Sequence, residues 1–245
     1  MEHDDLKRQA AWEAVAQLEP GMVIGLGHGS TAAHAVRRIG ARFKSGRLPG
    51  IVAVPCSEDV RRAAEEIGIP LVPFAEIPEI DVTIDGADEV GPEMGIIKGG
   101  GGAMLREKMV AEASAREIII VDDSKLSQQL GTLHPLPIEV VPFGWTSHLR
   151  FLEALGARTV TRREHDGGPV LTDQGNFLLD ADFGPIHDPH VLAETLASHA
   201  GIVGPGLFLD LATDLIVASA QGVRHITMHR RRESRERAGR REGND

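Results

Sequence analysis

Through the first half of the chain, short apolar runs alternate with longer stretches in which apolar residues recur every three or four positions. The runs at 22–26, 51–54, 69–72, 80–84 and 118–121 predict strands. They are rich in β-branched residues and almost unbroken in hydrophobicity, as strands buried on both faces of a parallel sheet are. Between the first two, residues 31–43 carry Ala32, Ala35, Val36 and Ile39 along one helical face. After the second, Ser57 is placed to cap a helix and Gly68 to end it. This pattern predicts an α/β fold: a Rossmann-like, mostly parallel sheet with helices on both faces.

From about Gly131 the rhythm changes. Strands are expected at 138–141 and 158–163, a turn at 165–168, a broken strand over 170–179 and a last strand over 202–209. Helices are expected at 146–155 and from Asp188-Pro189 to near Gly201. The order β-α-β-β-α-β predicts a smaller α+β, ferredoxin-like domain. The chain then returns through 215–218 to the last strand of the first unit. The expected division is a discontinuous Rossmann-like domain over 1–131 and 205–228, a ferredoxin-like insert over 132–204 and a charged, disordered tail over 229–245. No internal repeat is visible.

Composition narrows the partners. The 245 residues are 42% hydrophobic and 25% charged, ordinary for a globular protein, and the formal net charge of −10 argues against a polyanionic partner such as nucleic acid. Aromatics make up 4% with no tyrosine, too few for a base-stacking platform. Cys56 is the single cysteine, so no intrachain disulfide forms. An acidic N-terminus without an apolar signal region, and no apolar run of membrane-spanning length, give the expectation of a cytoplasmic protein.

The most informative chemistry lies at 98–108, where Lys98 is followed by four glycines and then by a helical pattern carrying Glu107. Bare backbone N–H groups beside a fixed cation can accept an anion, and a nearby carboxylate can act as a base. A flexible linker is the plain alternative. The turn at 25–31, strand to helix, offers amides and the hydroxyls of Ser30 and Thr31 to a phosphate. It is neither a dinucleotide fingerprint nor a Walker loop, and a simple capped turn is its alternative. Asp85 and Asp88 follow the strand at 80–84 with Gly86 and Ala87 between them, at the sheet end where ligand crevices form. Two close carboxylates there suit proton shuttling, a divalent metal or mere capping. Glu89 is expected to face solvent. Lys125, at the end of another strand, is within reach of an anion or simply solvated. His187 and His190 have metal-ligand spacing without a third ligand, so a helix cap at Asp188 is the better reading. Cys56 reads as a packed residue.

Together these segments resemble ribose-5-phosphate isomerase, type A. The matching stretches are GLGHGSTAAHAV at 25–36, DGADEV at 85–90, KGGGGAMLREKMVA at 98–111, VDDSKL at 121–126, LPIEVVPFGW at 136–145 and VLTDQGNFLLD at 170–180. The resemblance runs from about Asp5 to Val223. It implies interconversion of ribose 5-phosphate and ribulose 5-phosphate through an enediolate, without metal or cofactor. It implies Glu107 as the base that moves a proton between C1 and C2, with Asp85 and Asp88 assisting ring opening and proton transfer at the oxygens. Lys98 and the amides of Gly99, Gly100 and Gly101 would stabilise the developing oxyanion. Gly27, His28, Gly29, Ser30, Thr31, Gly86, Ala87 and Lys125 would bind substrate, with Lys7 as a further phosphate contact. It also implies a homodimer or homotetramer. Two positions depart from the family: His28 stands where threonine is usual, and threonine or serine is common near Cys56. The alternatives are a non-catalytic sugar-phosphate sensor and a related-fold amino-sugar-phosphate isomerase or lactonase.

Overall fold

The structure, a computed structural model, describes residues 3–227. The first part runs α1 (His3–Ala16), β1 (Val23–Leu26), α2 (Ser30–Lys44), β2 (Val52–Pro55), α3 (Glu58–Ile67), β3 (Ile80–Asp85), β4 (Glu89–Val90) and β5 (Ile96–Ile97). Then follow α4 (Met104–Glu112), β6 (Ser114–Asp122), β7 (Leu136–Val140), α5 (Ser147–Ala154), β8 (Thr159–Arg162) and the hairpin β9 (Glu164–His165) and β10 (Gly168–Pro169). The remainder is β11 (Phe177–Asp182), α6 (Pro189–Ala197), β12 (Ile202–Pro205), β13 (Leu207–Phe208), β14 (Asp214–Ser219) and β15 (Gly222–Thr227).

The central sheet has the order β15-β14-β6-β3-β1-β2. Every pairing in it is parallel except the β14–β15 edge. Its middle strands are apolar on both faces because helices cover both: Ile118 and Ile120 pack with α1 and α2, whereas Ile119 and Val121 pack with Met104 and Ala111 of α4. Ser57 caps α3 by accepting from Val60 N–H, and Gly68 closes it in a left-handed conformation at φ 83°. Both ends of that helix are as expected.

The second sheet has the order β12-β7-β11-β8, antiparallel throughout. Numbered within the unit this is 4-1-3-2 with α5 and α6 on one face, the expected ferredoxin-like arrangement. Leu136, Ile138 and Val140 point into the cluster formed with Leu152 of α5 and Leu196 of α6. The alternate residues Pro137 and Glu139 therefore occupy the other face, toward the glycine-rich segment. A Cβ on Gly99 would stand 3.1 Å from Pro137, and one on Gly102 would stand 3.5 Å from Leu178.

Several expectations change. The run 69–72 makes only one parallel bridge, Ala53 to Leu71, because Pro70 and Pro73 interrupt the ladder. Helix α1 was not expected; its buried face is Leu6, Ala10, Ala11, Ala14 and Val15, a mostly alanine stripe that gives a faint periodic signal. The last strand is β15, not β14. Residues 202–209 are split into β12 and β13 at Gly206, whose Cβ would lie 2.1 Å from the Lys98 carbonyl. Over 170–179 only the end is strand, since Gly175 turns the chain at φ 77°. Among the described residues no helix is long and apolar enough to cross a membrane. The tail 229–245 lies outside the described residues.

Candidate active site

A cleft opens at the carboxyl ends of β1, β3 and β6, the position where parallel sheets commonly bind ligands. Its lining is Lys7, His28, Gly29, Ser30, Thr31, Gly86, Ala87, Asp88, Lys98, Gly99, Gly100, Gly101, Glu107 and Lys125. Of the residues that the resemblance assigns to catalysis or substrate binding, only Gly27 and Asp85 lie beneath the surface of the cleft rather than on it.

At the floor sits a buried charge cluster. Lys98 Nζ lies 3.0 Å from Asp85 Oδ2 and 3.0 Å from Glu107 Oε1, and donates to the Gly86 carbonyl at 2.6 Å. Lys98, Asp85 and Glu107 are at most 5% exposed. Burial alone would discharge the lysine, but Asp85 and Glu107 more than reverse this and hold it charged. Burial pushes Glu107 up to about 8; Lys98 opposes the shift and Asp85 adds to it. A carboxyl whose proton leaves near neutral pH is suited to proton transfer.

Asp85 is fixed from the other side. Its Oδ1 accepts from the N–H groups of Gly86 at 2.7 Å and His28 at 3.0 Å. Gly27 makes this possible, because a Cβ there would lie 2.2 Å from Oδ1. Gly27 thus serves to admit the Asp85 carboxylate, not to line the cleft. Asp88 accepts from Gly100 N–H at 2.7 Å, and Gly102 N–H donates to Gly99 O at 3.0 Å. The glycine segment is therefore an ordered turn with one of its amides already used by Asp88, and not a wholly open nest.

Across the cleft, α2 presents its N-terminus with Ser30 and Thr31 in the first turn and no acidic residue there. Lys7 reaches over from α1 and donates to Ser30 Oγ at 3.0 Å. A helix N-terminus, two hydroxyl residues and a cation share this side of the cleft, as an anion site requires. Lys125 lines the cleft from the turn after β6.

His28 Nδ1 lies 2.9 Å from Ser57 Oγ. That oxygen also accepts from Val60 N–H, and with a second lone pair and its own proton it holds the ring in either tautomer. The ring lies over the glycine turn, where a Cβ on Gly101 would stand 2.6 Å from His28 Cδ2. Ser57 thus does more than cap α3, a second task that its place directly after a strand end could have signalled.

Other groups fall differently. Glu89 does not face solvent: it is wholly buried and accepts N–H bonds from Gly131, Thr132, Leu133 and His134 at 3.1–3.2 Å. A run of consecutive amides in a turn needs an anion, and Glu89 supplies it. His187 and His190 turn to different partners, Gln129 and Asp210, while Asp188 caps α6. Cys56, Asp85 and Glu107 bring donor atoms within 4.8 Å of one another. Burial, with the charges of Asp85 and Glu107, raises the Cys56 thiol well above its usual range, and Lys98 already supplies positive charge to both carboxylates. A metal ion there would have to displace the lysine.

Arg163 went unnoticed in the sequence. It sits just beyond β8, pairs with Asp180 and donates through Nη1 to the carbonyls of Gly99 at 2.8 Å and Gly100 at 3.0 Å. Nothing around it in the chain marks this contact. Arg106 likewise joins Glu58 at the start of α3 to Asp173 of the second sheet's loop.

The relatives of the chain point to one family. The family model for ribose 5-phosphate isomerase A (phosphoriboisomerase A) matches residues 52–222. A ribose-5-phosphate isomerase A of Chloroflexus aurantiacus is 57% identical over 221 residues, which is 90% of this chain and 92% of that protein. Among solved structures, a D-ribose-5-phosphate isomerase in complex with phospho-erythronic acid has a TM-score of 0.91 at 37% identity, covering 93% of this chain and 100% of that one. The ribose 5-phosphate isomerase A of Methanocaldococcus jannaschii has a TM-score of 0.87 at 36% identity, with coverage of 93% and 100%. With more than half its length matched by the family model and such identity over nine-tenths of its residues, this chain belongs to the ribose 5-phosphate isomerase A family.

Proposed function

We propose that the protein interconverts D-ribose 5-phosphate and D-ribulose 5-phosphate, an aldose-ketose isomerisation through an enediolate. The observation that carries this reading is the buried Lys98–Asp85–Glu107 cluster facing an anion-accepting helix terminus across one cleft. A sensor would need the phosphate end only; a burial-raised carboxyl beside a fixed cation is what proton abstraction next to a carbonyl requires.

In the forward direction the phosphate rests at α2 with Ser30, Thr31 and Lys7, and Lys125 holds the sugar. Asp85 and Asp88 assist opening of the furanose ring. Glu107 takes the C2 proton of the open aldehyde, the electron pair forms the C1–C2 double bond, and charge collects on O1. The Lys98 charge and the Gly101 amide stabilise it, since the three N–H bonds of Lys98 are taken by Gly86, Asp85 and Glu107. Asp88, at the cleft surface, passes the O2 proton to O1, and Glu107 returns its proton to C1. Protons and electrons balance without an external redox partner. His28, on the cleft wall, offers its imidazole to a sugar oxygen.

The division at 1–131 and 205–228 against 132–204 is supported by an apolar cluster centred on β7 and β11, which Ile97, Leu130 and Leu207 of the first unit join at the seam. Assembly into a homodimer or homotetramer is part of the same reading, supported by Phe143 and Val141, exposed at 93% and 40% beside β7; light scattering on the purified chain tests it. A cytoplasmic location follows from the substrate class.

The deciding measurement is conversion of ribose 5-phosphate by chelator-treated protein in D2O. Turnover with deuterium entering the carbon-bound position is expected. Tight sugar-phosphate binding with neither turnover nor exchange would replace the isomerase by the sensor.

A further inference from the structure

We propose that Arg163 is a positioning residue for the glycine turn: it pulls two carbonyls to the rear so that the Gly100 and Gly101 N–H groups face the cleft. Its effect on turnover rests on the isomerase reading. Nε of Arg163 donates to Asp180 Oδ2 at 3.0 Å and Nη2 donates to Oδ1, so Asp180 of β11 holds the guanidinium in a two-pronged grip. Nη1 is left over, and it donates to both Gly99 O and Gly100 O. The Arg163 backbone is itself fixed, donating to Leu178 O at 2.8 Å and accepting from Val170 N–H at 3.0 Å.

Peptide geometry supplies the next step. In a trans peptide the N–H points opposite to the C=O of the preceding residue. No cis peptide occurs among the described residues. Drawing the Gly99 and Gly100 carbonyls toward Arg163 therefore turns the N–H groups of Gly100 and Gly101 to the far side. Gly100 N–H is found there, 2.7 Å from Asp88 Oδ2, and Asp88 lines the cleft. Gly101 N–H is directed to the same side, where a substrate oxygen would meet it.

Four glycines in a row resist such orientation poorly, since each gives up more backbone freedom than any other residue. Asp88 grips one amide from the front; the grip from behind comes from the second sheet. A full positive charge behind two peptides also polarises their N–H groups and makes them better donors. Neither Arg163 nor Asp180 lines the cleft, so any influence on the reaction passes through the turn. This gives the VLTDQGNFLLD stretch, which ends at Asp180, a task in the reaction.

The test uses the full chain with Arg163→Ala, Arg163→Lys and Asp180→Asn. For Arg163→Ala, kcat is expected to fall about 10–100-fold, with KM moving less, and added methylguanidinium should recover part of the loss. Arg163→Lys should lie between, because an ammonium reaches a carbonyl but cannot keep the two-pronged grip. Amide hydrogen exchange should quicken across 99–104 and stay unchanged across 118–121. Activity within about twofold of the parent together with unaltered exchange would overturn the proposal. So would a loss without rescue, accompanied by faster exchange throughout β8 and β11, which would make Arg163 a sheet residue only. If the parent chain is inactive but Arg163→Ala still loosens 99–104, the isomerase reading fails and the positioning role stands.

Discussion

At Glu107, burial both makes a usable base and sets how activity depends on pH. The base works deprotonated, and its carboxyl is raised to about 8. As pH rises through that value the working form accumulates, so kcat/KM should climb, by about tenfold per pH unit below the midpoint. Lys98 stays charged across this range and does not add a limb of its own. Glu107→Gln should lower kcat by about 10²–10⁴-fold while substrate binding changes little, because the lost group acts in the transition state. A profile flat down to about pH 5, or an active Glu107→Gln enzyme, would assign the base elsewhere. At this scale the sequence was most legible, since Lys98, Asp85 and Glu107 converge within hydrogen-bond reach. What stayed hidden was division of labour. That Gly27 exists to admit Asp85, or that Glu89 points inward, depends on where distant backbone runs.

Elements were legible wherever the local signal was strong. Helix α3 carries both its punctuation marks, Ser57 and Gly68, and forms between them. Helix α1 buries mostly alanine, so its period was invisible although it carries Lys7 into the cleft. The run at 69–72 was apolar enough for a strand, but its prolines leave a single bridge. Ser57 joins this scale to the previous one, because one hydroxyl caps the start of a helix and anchors the His28 imidazole. Ser57→Ala should therefore cost about 1 kcal/mol of stability by urea denaturation, and should also raise KM, since the imidazole loses its anchor. Ser57→Thr keeps the hydroxyl and should restore both. If KM holds steady in Ser57→Ala while stability drops, the serine is a cap and nothing more.

At the scale of the whole molecule, the central fact is that two sheets meet over one short segment. Residues 98–108 touch the central sheet through Lys98 and Met104, and the second sheet through Pro137, Leu178 and Arg163. The alternation of runs and helices foretold a mostly parallel sheet and a second, ferredoxin-like unit, but neither the order of strands across the central sheet nor which face of the second would lie on the glycine turn, since those are long-range matters with no local signature. The connection between the sheets begins at 131–134, and Glu89 clasps it: four backbone N–H groups end on its two carboxylate oxygens in a fully buried position. Bonds from amides to a buried carboxylate are strong and expensive to leave half made. Glu89→Gln keeps the shape but turns an NH2 toward a row of donors, so some of those amides must lose their acceptor. A loss of about 2–4 kcal/mol is expected, or roughly 5–15 °C in melting temperature for a chain of this size. Glu89 touches neither the cleft nor the charge cluster, so kcat well below the melting transition should stay near the parent value. A fall in kcat with unchanged melting would mean that the 131–134 turn is coupled to the reaction, and not simply a joint between the two sheets.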